Sequence, residues 1–260
     1  MRINTNVNAL NVLRNLANSD QAVSSATQKL SSGFRINRAS DDAAGLAIAN
    51  KLRNTGRALT AAQKNVEQGT AMLQIADGSL QSISSILDRM KELATQYSSA
   101  NTGTDAQTNI SAEFDVLTTE IDRIVNTTQY EGSDILGTSM DFRVDDTGTT
   151  DDLVTADLSS ATIDTSSLDV SDPTTINDVL DTVNTAIGTV GAAESQLDFA
   201  SKNLASKVEN TAAAESTIRD ADMAAEMSNY SKSQIISQAG MAILAQANNN
   251  AQGILQLLRG

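Results

Sequence analysis

The sequence predicts a mainly α protein, a long antiparallel helical bundle or coiled-coil rod with a small β-hairpin, whose terminal helices pair as a coiled coil. Three observations carry this prediction. Apolar residues recur every seven positions along two long segments. The composition has one Pro, no Trp and 3% aromatic residues, so much of its 40% hydrophobic fraction is Ala, which suits closely packed helices. Each end carries an amphipathic stripe with nothing local to cover it.

At the N-terminal end, Ala9, Val12, Leu16, Ser19, Val23, Ala26 and Leu30 alternate spacings of three and four, the period of one helix face. Ser40-Asp41-Asp42 then supplies an N-cap and an acidic first turn. Behind it Leu52, Leu59, Val66, Leu73, Leu80 and Leu87 recur every seven residues. Thr55, Ala62, Gly69, Ala76, Ile83 and Met90 follow three positions after each. The pattern predicts one helix over about 41–99, with large residues at one seam position and mostly small ones at the other. The Ser- and Gly-containing stretch 98–104 ends it.

A second helix is expected from about 105 to 128, with Ile110, Phe114, Leu117, Ile121 and Ile124 as its seam. The short loop before it makes an antiparallel hairpin of helices. The centre changes character. Met140, Phe142 and Val144 alternate with polar residues, residues 145–150 read as a turn, and Leu153 to Leu158 reads as a returning strand. Asp172-Pro173 is a helix start, with Pro at the first helical position. Val183, Val190, Leu197, Leu204, Thr211 and Ile218 restore the seven-residue repeat, predicting a third long helix to near 220. A last stripe runs through Ile236, Ala239, Ile243, Ala247, Asn250, Ile254 and Leu257. The two terminal helices can pair with each other and still leave apolar flanks for other copies of the chain.

Composition excludes several function classes. The net charge of −14 argues against nucleic acid as a partner, because phosphate binding needs a basic surface. With no Cys and no His, the chain has no thiol nucleophile, no imidazole base and neither of the commonest transition-metal ligands. No catalytic site, metal site or cofactor is expected. The acidic run Asp141, Asp145, Asp146, Asp151 and Asp152 lacks the spacing of an EF-hand loop and reads as a solvated hairpin tip. No apolar run reaches the 18 or so residues of a membrane span, and the first residues do not form a signal peptide.

The stretch Leu30-Ser31-Ser32-Gly33-Phe34-Arg35-Ile36-Asn37-Arg38-Ala39-Ser40-Asp41-Asp42-Ala43-Ala44-Gly45-Leu46-Ala47-Ile48-Ala49 resembles the N-terminal signature of bacterial flagellins. Met1-Arg2-Ile3-Asn4-Thr5-Asn6 is similar to the start of that family. Gln238-Ala239-Gly240-Met241-Ala242-Ile243-Leu244-Ala245-Gln246-Ala247-Asn248 and Ile254-Leu255-Gln256-Leu257-Leu258-Arg259 resemble its C-terminus. The resemblance covers the chain outside about 137–172, where many members carry large variable outer domains.

This resemblance implies a secreted structural subunit that polymerises into the extracellular filament of the bacterial flagellum for motility, in a short form with a thin, smooth filament. Segments 1–40 and 223–260 would form the inner coiled coil, and 41–222 a helical rod with a β-hairpin near 138–160. The expected interface between copies comprises Ile3, Val7, Leu10, Leu13, Ile236, Ile243, Leu244, Ile254, Leu255 and Leu258. The implied partners are further copies of itself, an export chaperone, filament cap proteins and the host Toll-like receptor 5, with export that needs no cleaved signal peptide and no membrane or nucleic acid partner. By motif, Arg89, Leu93 and Glu113 are the receptor and axial-contact candidates. Without the resemblance, the stretch around Arg89 reads as a solvated helix face with local charge pairs. A hook–filament junction protein shares similar terminal helices, and another coiled-coil surface assembly protein is the rival of a different class.

Overall fold

A computed structural model describes residues 6–99, 102–145, 153–159 and 163–259, with side chains described as far as 250. Helices α1 (Val7–Ser32), α2 (Ala43–Tyr97) and α3 (Thr104–Thr127) come first. Strands β1 (Gln129–Tyr130), β2 (Ser133–Asp134), β3 (Ser139–Arg143) and β4 (Leu153–Asp157) form two antiparallel hairpins. A 3₁₀ turn at Thr165–Ser167 precedes α4 (Pro173–Arg219) and α5 (Met223–Arg259). Two compact units result. One contains residues 1–54 and 211–260, and the other contains 55–210.

In the unit of residues 55–210 the expected seam of α2 is the core. Leu59, Val66, Leu73, Leu80 and Leu87 are buried, and so are Ala62, Gly69, Ala76, Ile83 and Met90. All but Gly69 share one continuous cluster with Phe114 and Ile121 of α3 and with Val183, Val190, Leu197 and Leu204 of α4. Met140, Val154 and Ala156 bring the β3–β4 hairpin onto the same cluster. The antiparallel order of α2 and α3 is visible where Arg89 meets Glu113, and where Thr128, just past α3, lies 3.0 Å from Ser79.

Gly69 positions the hairpin. A Cβ built there would come within 2.6 Å of the Phe142 ring, so the absent side chain makes room for β3 against α2. The register Met140 to Ala156 and Phe142 to Val154 follows from the alternation in the sequence. The β1–β2 hairpin is not foreseen by that alternation, because each strand has two residues. Its turn, Glu131-Gly132, has φ of 50° and 81°, as a two-residue hairpin of type I′ requires. Of the acidic run, Asp141 accepts a hydrogen bond from the Thr155 hydroxyl at 2.7 Å and Asp145 pairs with Lys207. Asp146, Asp151 and Asp152 lie outside the described residues.

In the unit of residues 1–54 and 211–260, Asn6 caps α1 by accepting the Ala9 N–H. Gly33 closes α1 in the left-handed region, with φ of 74°. The tandem acids divide the work of starting α2. Asp41 accepts the backbone N–H groups of Asn37 and Arg38, which holds its carboxyl below the usual range. Asp42 caps the helix through the Gly45 N–H at 2.8 Å. A Cβ at Gly45 would come within 2.9 Å of Ile36, so the glycine admits a buried side chain against the first turn.

Candidate functional site

α1 and α5 are antiparallel, and their backbones approach within 8 Å along the pair. Polar bonds fix the register. Asn6 Nδ2 donates to the Ala247 carbonyl at 3.2 Å, Ser237 Oγ to Asp20 Oδ1 at 2.8 Å, and Lys29 lies 3.6 Å from Glu226. Leu16 would touch a Cβ placed on Gly240. The expected stripe of α1, Ala9 through Leu30, is the half-buried or buried face of that helix.

The stripe expected for α5 is corrected by the structure. Ile236, Ala239 and Ile243 are exposed. The half-buried positions are Glu226, Tyr230, Ser233, Ser237, Gly240, Leu244 and Ala247, which alternate spacings of four and three. Leu244, expected on an outer flank, therefore lies in this seam. The seam of α5 is built from small and polar residues because the helix backbones come close: Leu16 needs the space at Gly240, and Ser237 and Glu226 find polar partners on α1. The greasier row lies beside this seam and stays exposed in the single chain.

That uncovered surface contains Val7, Leu10 and Leu13 of α1 and Ile235, Ile236 and Ile243 of α5. Sequence reasoning missed Ile235, which is 65% exposed, as well as Met223, Met227 and Met241 on the same helix. The small-residue row Ser233, Ser237 and Gly240 was the available signal for which side of α5 faces inward. Ile3 and the side chains of Ile254, Leu255 and Leu258 lie outside the described residues. Exposed apolar runs of this kind mark interaction surfaces in other proteins.

The connection between helices reinforces the base of this pair. The Arg35 N–H donates to the Arg219 carbonyl at 2.7 Å, and the Ala221 N–H donates to Gly33 at 2.9 Å. Arg53 grips Glu215 through Nε and Nη2 at 2.9 and 2.7 Å. All three contacts lie between sequence-distant segments, so local periodicity gives no hint of them.

The three candidates around α2 and α3 divide. Arg89 donates to Glu113 Oε1 through Nε and Nη2 at 3.1 and 2.9 Å, and to Glu92 at 3.0 Å, and these carboxylates raise its pKa. Arg89 and Glu113 are exposed, whereas Leu93 is only 1% exposed. The geometry thus brings Arg89 and Glu113 together on the surface and places Leu93 beneath it.

Among the described residues, no group of His, Cys, Asp or Glu is arranged to hold a metal ion, and no helix is long and apolar enough to cross a membrane.

Comparisons with known proteins match both ends of the chain to one family. Residues 3–140 match the bacterial flagellin N-terminal helical region, and residues 174–258 match the bacterial flagellin C-terminal helical region. The chain is 39% identical to a flagellin of Halalkalibacterium halodurans, with all of both chains covered. It is 35% identical to a flagellar filament 33 kDa core protein of Treponema phagedenis, again over the whole of both. A crystal structure of Bacillus cereus flagellin aligns with 57% of this chain and 88% of its own, at 24% identity and a TM-score of 0.42. With both terminal regions matched and relatives similar from end to end, the chain belongs to the bacterial flagellin family.

Proposed function

We propose that this flagellin, a structural subunit of the extracellular flagellar filament, is held in its polymer by the outward apolar faces of α1 and α5. The observation that carries this is the orientation of α5. Its Ile235, Ile236 and Ile243 lie outside the seam with α1 and are 65%, 45% and 56% exposed. Each such side chain, once fully buried by a neighbouring copy, contributes about 1.5–3 kcal/mol. Several per subunit favour a polymer, while the net charge of −14 keeps the free subunit soluble.

In this reading, 1–40 and 223–260 form the inner coiled-coil layer of the filament and 41–222 the outer helical layer. Ile3, Ile254, Leu255 and Leu258 extend the same interface. The uncovered row of α5, with Ile236 and Ile243 and the neighbouring Leu244, is the groove ligand for an export chaperone before assembly. Export proceeds without a cleaved signal peptide, and cap proteins receive the subunit at the growing end. Arg89 and Glu113 are the surface residues offered to Toll-like receptor 5, with Leu93 supporting them from below. Because Arg89 is already held by Glu92 and Glu113, a receptor must exchange those bonds for its own.

Seeded elongation tests the interface. Ile235→Glu with Ile243→Glu is expected to reduce elongation at least about tenfold, the effect of little more than 1 kcal/mol, while the melting curve of the monomer is unchanged. Normal filament growth by this variant, or by a chain lacking 223–260, would overturn the proposal.

A further inference from the structure

Among the described residues, the methionines fall into two classes. Met90 and Met140 are buried in the core of the 55–210 unit, and Met72 packs against it. Met223, Met227 and Met241 of α5 are 47%, 51% and 54% exposed. Met223 and Met227 are one helical turn apart, and Met227 and Met241 are separated by two heptads, so all three lie along one flank of the α1-facing seam. The chain has no Cys, His or Trp, which leaves the thioethers as its softest oxidisable groups.

We propose that Met223, Met227 and Met241 form an oxidation-sensitive site through which hydroperoxides block elongation by the free subunit. The reaction needs no site chemistry. The thioether Sδ attacks one peroxide oxygen, the O–O bond breaks, an S–O bond forms, and hydrogen peroxide leaves as water. Sulfur is oxidised by two electrons and the peroxide is reduced by two. The product is a strong hydrogen-bond acceptor where an apolar group stood. In the monomer the new oxygen is met by water, and the α1–α5 seam of Glu226, Tyr230, Ser233 and Gly240 is untouched. In a close helix–helix contact with another copy it loses that water without gaining a donor. Oxidation thus penalises the polymer and spares the fold, and methionine sulfoxide reduction reverses it.

This inference rests on α5 being a subunit interface, and the two are separable by experiment. Monomer is treated with dilute hydrogen peroxide, mapped by peptide mass spectrometry, and added to filament seeds. The expected result is sulfoxide at 223, 227 and 241 ahead of 90 and 140, with elongation falling at least about tenfold. The variant Met223→Leu, Met227→Leu, Met241→Leu, a volume-conserving change, should elongate equally before and after peroxide. Sulfoxide reductase should restore the native chain. Undiminished elongation by the oxidised native monomer, or an equal loss in the triple variant, would overturn the inference. Equal oxidation of these three residues in assembled filaments and in monomer would instead count against the interface itself.

Discussion

The guanidinium of Arg219 lies 4.1 Å from the centre of the Phe34 ring, joining the segment that leaves α1 to the end of α4. Arg219 is mostly buried, pairs with Glu215 at 3.6 Å, and has an Nε with no hydrogen-bond partner. The ring face is thus a principal neighbour for a charge that has left water. Replacing Phe34 by Ala is expected to destabilise the chain by about 1–2 kcal/mol, read as a lower urea midpoint. Arg219→Lys should recover little, since a point charge neither stacks nor holds two partners in the same plane. Equal stability of Phe34→Ala and the native chain would contradict this account.

The helical glycines of α2 separate space from propensity. At Gly69 an added Cβ collides with Phe142, so Gly69→Ala should lose about 1 kcal/mol despite the better helix propensity of Ala. At Gly78 the same Cβ meets nothing within 4 Å, so Gly78→Ala should gain about 0.5–1 kcal/mol. Thermal melts of the two variants should therefore move in opposite directions. Shortening the ring with Phe142→Leu should relieve the first loss.

Glu194 of α4 has a buried, unpartnered Oε1. Burial first, and the Asp77 carboxylate second, push its carboxyl above the usual range. The folded chain therefore binds this proton more tightly than the unfolded chain. Stability attributable to the group falls as pH rises from the ordinary glutamate value through the raised one. Glu194→Gln should thus raise the melting temperature at neutral pH. The advantage should vanish below the ordinary value, where Glu194 is protonated in both states. A gain of the same size at acid and neutral pH would rule out the charge as its cause.

Arg89 and Glu113 are exposed, and their pair contributes little to folding. Arg89→Ala should leave the melting temperature of the monomer unchanged while lowering Toll-like receptor 5 signalling by soluble protein. Leu93→Ala should lower both, because its side chain is buried. Unchanged signalling by Arg89→Ala would remove these residues from the receptor surface.

Much of the fold is legible from spacing. The seven-residue repeats of α2 and α4 predict both their extent and their buried side chains, from Leu59 to Met90 and from Val183 to Leu204. Repeats of this kind are local statements: they say that one face must be covered. The Asp42 cap and the Gly33 stop are local too, since each acts within one turn of its helix. The two-residue strands at 129–134 escape because they are too short for alternation to show.

The candidate site is different, and α5 shows why. Its sequence contains two heptad rows, an apolar one through Ile236 and Ile243 and a small, polar one through Ser233, Ser237 and Gly240. Sequence alone determined that a helix would form and that it would carry an uncovered apolar face. Only the tertiary structure decided which row meets α1. Close approach of two backbones favours small residues opposite Leu16 and polar partners opposite Asp20 and Lys29. That choice leaves the apolar row outside the seam, exposed in the single chain.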